Sequence, residues 1–328
     1  MIDKIYIYES SCVDPYENIA TEKYLLENVP ENGCILYLWQ NKNTVVIGRN
    51  QNAWAECRTS LLESDGGKLA RRLSGGGAVY HDLGNLNFTF LVSSSDYDLD
   101  KQLSVIQTAC GYAGITAEKS GRNDLLAQGQ KFSGNAFYHA QGKSYHHGTL
   151  LIDADMEKLS RYLTPTKAKL EAKGVSSVRS RVVNLKELAP HLSCSTMKTL
   201  MAKAFGEVYG LTPSPFPLSE AAQEQIRAYA AQLQGWDWLF GPKLPFTFSC
   251  EARFTWGSFA LELQVEAGIV KAVGINTDAM DWQLADAVKA ALIGCRFQAD
   301  ALQDALSQHI TDEFIRTDLC DLIKKQSL

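Results

Sequence analysis

Two guanidinium groups lead into a run of bare backbone: Arg71-Arg72-Leu73-Ser74-Gly75-Gly76-Gly77-Ala78-Val79-Tyr80-His81-Asp82. Glycines let main-chain N–H groups close on an anion and take angles that other residues avoid. Arginines add charge-assisted, often bidentate hydrogen bonds to phosphate or carboxylate. The spacing matches neither familiar glycine loop. A P-loop ends in Gly-Lys-Ser/Thr, whereas Ala78-Val79-Tyr80 follows here, and a dinucleotide fingerprint needs a third spaced glycine where Tyr80 stands. On the glycines alone, an anionic small-molecule site and a tight turn with solvated arginines fit equally well.

A second segment adds a lysine. Gly121-Arg122-Asn123-Asp124 leads into Leu125-Leu126-Ala127, Gln128-Gly129-Gln130 and Lys131-Phe132-Ser133-Gly134-Asn135-Ala136-Phe137. The Gln-Gly-Gln turn between two short apolar runs predicts a hairpin, with Lys131 where the returning strand begins. Tyr145-His146-His147-Gly148-Thr149-Leu150-Leu151 follows after another turn.

In this order the blocks resemble the lipoate–protein ligase family, of the bacterial lipoate ligase A type. The matching pieces are Arg71-Arg72-x-Ser-Gly-Gly-Gly-Ala-Val-x-His-Asp, Gly84-Asn85, Gly121-Arg122-Asn123-Asp124, Lys131-x-Ser133-Gly134-x-Ala136, His146-His147-Gly148-Thr149-Leu150 and Lys173-Gly174-Val175-x-Ser177-Val178-Arg179-Ser180-Arg181-Val182. Arg253-Phe254-Thr255-Trp256-Gly257 extends the match towards the tail. Leu73 departs from the serine usual at its place.

The resemblance implies an ATP-dependent ligase. Lipoate or octanoate would be activated to an acyl-adenylate with release of pyrophosphate, then passed to a specific lysine of apo lipoyl domains. Both steps build negative charge on oxygen, so fixed cations and backbone donors matter more than a nucleophile. By the same resemblance Lys131 is the catalytic lysine. Arg71, Gly76, Gly77, Ala78, Val79, Asn123, Asp124, Lys131, Val178, Arg179 and Arg181 bind ATP and the adenylate. Arg71, Ser74, Gly75, His81, Lys131, Ser133, Gly134, Ala136 and His147 bind lipoate. Asp124 is a candidate ligand for Mg²⁺, since hard oxygen donors suit that ion, although it reads equally as a turn residue. The implied partners are lipoate as substrate, the E2 subunits of 2-oxoacid dehydrogenases and the glycine-cleavage H protein.

These residues need a scaffold. Asp14-Pro15-Tyr16-Glu17 carries a helix cap, a first-turn proline and a capping-box glutamate. Tyr16, Ile19, Ala20 and Tyr24 follow at helical spacing. Cys34–Trp39 and Thr44–Gly48 read as strands, residues 54–63 as one helix, and Leu99, Leu103, Ile106, Cys110 and Ala113 as a helical stripe ending at Gly114. Strands and hairpins are expected over 115–152 and helices over about 155–233. Gly241-Pro242-Lys243-Leu244-Pro245 reads as a linker, followed by three short strands and at least two helices. The fold class is α+β. The resemblance implies a mixed-sheet catalytic domain of the biotin/lipoate ligase type over residues 1–243, and a small α+β C-terminal accessory domain over 247–328.

Composition agrees with this scheme. A chain of 328 residues suggests about two domains, and 45% apolar residues suffice for ordinary cores. No apolar run reaches the roughly 18 residues of a membrane span, and the first residues read as a strand rather than a cleavable leader, so a cytoplasmic protein is expected. The net charge of −5 resides in 247–328, which holds seven Lys/Arg against twelve Asp/Glu. Residues 161–186 carry seven basic side chains against Glu171 alone, which fits a specific anion contact better than general nucleic-acid binding. Lys167, Lys169 and Lys173 are the more peripheral of these and could steer an acidic carrier domain. Eight scattered cysteines include no Cys-x-x-Cys pair, so zinc and dithiol readings lack support.

Two other functions compete. An ATP-independent octanoyl or lipoyl transferase of the same fold needs a cysteine nucleophile, and residues 111–193 hold none. A non-catalytic lipoyl-binding protein is the third reading, and an intact Lys131 with both loops argues against it.

Overall fold

Asp14 opens the first helix as its neighbours suggest: its carboxylate accepts from the amides of Tyr16 and Glu17, and Pro15 has no N–H to leave unpaired. Helix α1 (Pro15–Glu27) turns Ile19, Ala20, Leu25 and Leu26 inward, together with one charge, Glu22. This computed structural model describes residues 2–121, 123–163, 182–240 and 247–326. Arg122, Lys167, Lys169, Lys173, Ser177, Val178, Arg179, Arg181 and the linker at 241–245 lie outside the described residues.

The strands up to residue 215 are β1 (Lys4–Glu9), β2 (Gly33–Trp39), β3 (Thr44–Ile47), β4 (Lys68–Arg71), β5 (Val79–His81), β6 (Asn85–Ser93), β7 (Ala117–Ser120), β8 (Asp124–Ala127), β9 (Gln130–Ala140), β10 (Lys143–Leu151) and β11 (Ser214–Pro215). Eight of them form a mixed sheet in the order β11-β1-β2-β6-β10-β9-β8-β7, and β4-β3-β5 form a small second sheet. β1 runs parallel to β2 and β11, and the remaining pairs in the large sheet are antiparallel. The hairpin expected at Gln128-Gly129 is present between β8 and β9. Both turn residues have positive φ (50° and 76°), the geometry that two-residue hairpin turns demand.

The helix expected over 54–63 is instead two short pieces, α2 (Ala53–Glu56) and α3 (Thr59–Ser64). Cys57 forms a β-bridge with Leu163, and the Arg58 amide donates to the Tyr162 carbonyl, so the backbone between the pieces bonds outward. Further on come α4 (Leu99–Tyr112), α5 (Met156–Tyr162), α6 (Leu185–Leu188), α7 (Cys194–Tyr209), α8 (Glu220–Leu233) and α9 (Trp236–Phe240).

The large sheet has two different faces. On one, Leu36, Leu38, Leu86, Phe88, Phe90, Leu125 and Phe132 pack with α4 and α7 into an apolar core. On the other, Ile35, Tyr37, Trp39, Leu91 and Tyr145 pack under α1 and α8. His146 and His147, adjacent in sequence, fall on opposite faces because side chains alternate along a strand. His146 is fully buried among Phe88, Phe90 and Phe137, with Nε2 bonded to the Asn135 Oδ1 at 2.8 Å.

Burial, with a smaller push from His147, takes the His146 ring down to about 3 from its ordinary 6.5. Between those values the unfolded chain holds a proton that the folded chain refuses. Stability is therefore expected to fall as pH drops below 6.5, by about 1.4 kcal/mol per pH unit from this ring. Urea unfolding from about pH 7 to about pH 4 measures the slope. His146→Gln, which keeps an N–H for Asn135, should flatten it. An unaltered slope in that variant would assign the acid sensitivity to other groups.

The described residues within 1–46, 57–71 and 79–239 form one compact unit, and those within 47–56, 72–78 and 240–328 a second. In the second unit, β12 (Phe248–Phe254), β13 (Gly257–Glu266) and β14 (Ile269–Thr277) form an antiparallel sheet. Helices α10 (Leu284–Leu292), α11 (Ala299–His309) and α12 (Glu313–Lys324) cover it around Phe259, Leu261, Leu263, Leu302 and Leu319.

Candidate functional site

Lys131 is placed by a one-residue irregularity in its strand. Leu126 pairs with Lys131 but Leu125 pairs with Ser133, leaving Phe132 as an extra residue, a β-bulge. In a regular strand Lys131 and Gly134, three residues apart, would point to opposite faces. The bulge brings both to one face, with Asp124 opposite Gly134. Lys131 Nζ then lies 2.6 Å from Asp124 Oδ1, each side chain about one-third exposed (36% and 35%). A Cβ on Gly134 would stand 3.1 Å from that Nζ, close enough that the ammonium would have to give by a few tenths of an ångström. The carbonyl of Lys131 accepts from the Val183 amide at 2.9 Å, which ties down the backbone beneath it.

That face continues inward with Ala136, which pairs with His147. His147 pairs with Thr89, and Thr89 with Tyr37. Its polar side chains are buried and linked. His147 Nδ1 and Thr89 Oγ1 both meet Glu22 Oε1, at 2.8 and 2.7 Å, and Trp39 Nε1 donates to Thr89 Oγ1 at 3.1 Å. Glu22 is fully buried. A glutamate, an imidazole, a hydroxyl and an indole N–H thus line the inner part of the face that carries Lys131. Beneath it Asn123 braces β9: its Nδ2 donates to the Asn135 carbonyl, and its own carbonyl accepts from the Asn135 main-chain and side-chain N–H. Ser133 is buried, and its register opposite Leu125 sets it on the other face from Lys131.

Arg71 is buried at the end of β4. Its Nε and Nη2 donate to the carbonyls of Trp238 and Leu239 at 2.7 and 2.5 Å, and Trp238 Nε1 donates back to the Arg71 carbonyl. His81 ends β5, buried against the Trp39 ring at 6.1 Å, and Val79 opens the same strand, half-buried.

The glycine loop belongs to the second unit. Arg72 organises it from within: Nε donates to Ser74 Oγ and Gly75 O, and Nη2 to the carbonyls of Gly75 and Gly77 at 2.7 and 2.8 Å. Gly76 has φ +91°, which L-residues rarely adopt, and its N–H donates to Ala279 O at 3.0 Å. Gly77 and Ala78 are partly exposed. Nearby, Asn50 binds residues 277–282: its carbonyl accepts from the Thr277 amide and its Nδ2 donates to Trp282 O.

Sequence reasoning missed Glu22, Trp39 and Thr89. Glu22 offered a signal, because it stands three residues after Ile19 and three and four before Leu25 and Leu26. A charge at core spacing on a helix needs a buried partner. Trp39 reads as an ordinary strand residue, and Thr89 belongs to none of the matching blocks. Among the described residues, no group of three or more His, Cys, Asp and Glu converges on a metal site, and no helix is long and apolar enough to cross a membrane.

A model of the lipoyl protein ligase A/B catalytic domain matches residues 14–206, and one of the bacterial lipoate protein ligase C-terminus matches residues 243–324. The chain is 42% identical over 302 residues to the lipoate-protein ligase A of Psychrobacter cryohalolentis, covering 90% of this chain and 89% of that one. Among solved structures it resembles P. falciparum LipL1 in complex with lipoate, with a TM-score of 0.85, 28% identity and coverage of 98% and 99%. It shares the fold of a lipoate-protein ligase A bound with ATP, with a TM-score of 0.64, 24% identity and coverage of 74% and 99%. With matches over both its catalytic and C-terminal parts, the chain belongs to the lipoate–protein ligase family.

Proposed function

We propose that this protein joins lipoate to protein lysines at the expense of ATP. In the first half-reaction a carboxylate oxygen of lipoate attacks the α-phosphorus, the α–β phosphoanhydride bond breaks and pyrophosphate leaves. In the second, a lysine amine of the acceptor attacks the acyl carbon, the acyl–phosphate bond breaks and AMP leaves, with one amine proton lost. Lys131 is the shared electrophilic group, its ammonium stabilising the acyl oxygen and α-phosphate as charge builds. The observation that carries this reading is the bulge-placed Lys131–Asp124 pair over bare Gly134.

In this reading Arg71, Asn123, Asp124, Val178, Arg179 and Arg181 serve the nucleotide with the backbone of Gly76, Gly77, Ala78 and Val79. Ser74, Gly75, His81, Ser133, Gly134, Ala136 and His147 serve the acyl chain. Asp124 suits a Mg²⁺ that arrives on the nucleotide: such ions take one or two carboxylates and complete their shell with phosphate and water. The proposed division is a catalytic domain over 1–243 and an accessory domain over 247–328. Apo lipoyl domains of E2 subunits and the glycine-cleavage H protein are the proposed acceptors. Incubation with ATP, Mg²⁺ and lipoate should yield lipoyl-AMP by mass spectrometry. None formed, with active transfer from an acyl carrier, would favour the transferase.

Five of the eight cysteines argue against that transferase. Burial pushes the Cys34, Cys57 and Cys110 thiols up to about 12, and those of Cys194 and Cys250 to about 11. Such thiols carry almost no thiolate near neutrality. A variant with all eight cysteines changed to Ser or Ala is expected to retain ATP-dependent ligation to within a few-fold, provided circular dichroism shows it folded. A lipoyl-thioester on the native enzyme that chases into product would overturn that expectation.

A further inference from the structure

A line of buried amides runs to His81 and determines which ring nitrogen carries the proton. It starts where orientation is unambiguous. Asn18, fully buried on α1, points Nδ2 at the main-chain carbonyls of Cys12 and Gln40, at 3.1 and 2.9 Å. Carbonyls only accept, so this end of the amide is the nitrogen. Its oxygen accepts from the hydroxyls of Ser10 and Tyr37, at 2.8 and 3.0 Å. Asn18 Nδ2 also meets Asn41 Oδ1 at 3.0 Å; its two hydrogens are shared among three acceptors, and an amine end of Asn41 at that place would face another donor, which orients the second amide in turn. The remaining end of Asn41 is then a donor, and it faces His81 Nδ1 at 3.2 Å. A nitrogen that accepts a hydrogen bond holds no proton, so the ring proton sits on Nε2.

We propose that Asn41 is a positioning residue for the acyl substrate. With Asn18 behind it, Asn41 holds His81 as a neutral imidazole whose Nε2–H donates towards bound lipoate. The inference rests on the ligase reading. Three observations support it. Every link donates in the same direction, from Tyr37 Oη through both amides to the ring, and such chains polarise their last donor. The ring packs against Trp39, whose indole N–H joins the Thr89–Glu22–His147 chain on the face carrying Lys131. Asn41 is itself fully buried, so solvent cannot reorient it.

The test uses full-length protein labelled with ¹⁵N-histidine. Long-range ¹H–¹⁵N correlation in the native protein should show His81 with its proton on Nε2; a proton on Nδ1 would overturn the proposal. In Asn41→Asp the new carboxylate still accepts from Asn18 but can no longer donate to the ring, so the proton should move to Nδ1. Lipoate KM is then expected to rise about tenfold, with kcat within about twofold. Asn41→Leu removes the donor without drawing the proton to Nδ1, so KM should rise less than in the Asp variant; it covers the case in which that variant fails to fold, and a KM unchanged from the native protein in Asn41→Leu would then overturn the proposal. A moved proton with unchanged KM would also overturn the proposal. Native protein without lipoate-dependent adenylation would refute the ligase reading instead, and the tautomer would still be measurable.

Discussion

Lys131→Ala is expected to lower lipoyl-adenylate formation by two to three orders of magnitude, with the fold intact. Removing one preorganised donor from a site of developing charge typically costs about 3–4 kcal/mol in the barrier. Lys131 is partly exposed and its removal opens no cavity in either core. Lipoate-dependent pyrophosphate release measures the effect, and circular dichroism checks the fold. Lys131→Arg keeps the charge but not the compact ammonium, and should recover only part of the rate. Normal pyrophosphate release by the alanine variant would remove Lys131 from the mechanism. Release lost together with the circular dichroism signal would make its role structural.

The second large effect lies deeper. Glu22→Ala removes the acceptor shared by His147 and Thr89 and should destabilise the protein by about 3 kcal/mol. Both partners are buried, so neither can turn to water for a replacement. Glu22→Gln keeps an oxygen for Thr89 and should restore most of the loss if hydrogen bonding dominates. If the gap between Gln and Glu equals that between Ala and Glu, the charge itself is what the site uses. Urea midpoints of the three proteins separate these outcomes.

The sequence was a good guide where local chemistry decides conformation. Asp14-Pro15 capped its helix, and Gln128-Gly129 made its turn. Short apolar runs placed β2 and β3, which are buried along their whole length. Legibility ended where position depends on partners far along the chain. No local residue marks the bulge at Phe132, yet it decides which face Lys131 joins. The broken helix at 53–64 looked continuous because its propensities are helical. What interrupts it is pairing with Leu163 and Tyr162, about a hundred residues on. Asn41 lay beside a strand and carried no motif. Its hydrogen bonds make sense only when the two amides, Asn18 and Asn41, are followed in order to the His81 ring.

One further consequence follows from the membership of the second unit, and it concerns the order in which the protein is made. The glycine loop is translated early, but the carbonyl that holds Gly76 belongs to Ala279. The Asn50–Trp282 bond likewise joins residues 232 positions apart. At ~5–20 residues per second, a ribosome takes roughly 10–50 s to cover that interval. Throughout it the nascent loop has its arginines and glycines but lacks the tail segment that completes its hydrogen bonding. The arrival of residues 277–282, and not the appearance of the glycines, is the event that finishes the loop's hydrogen bonding.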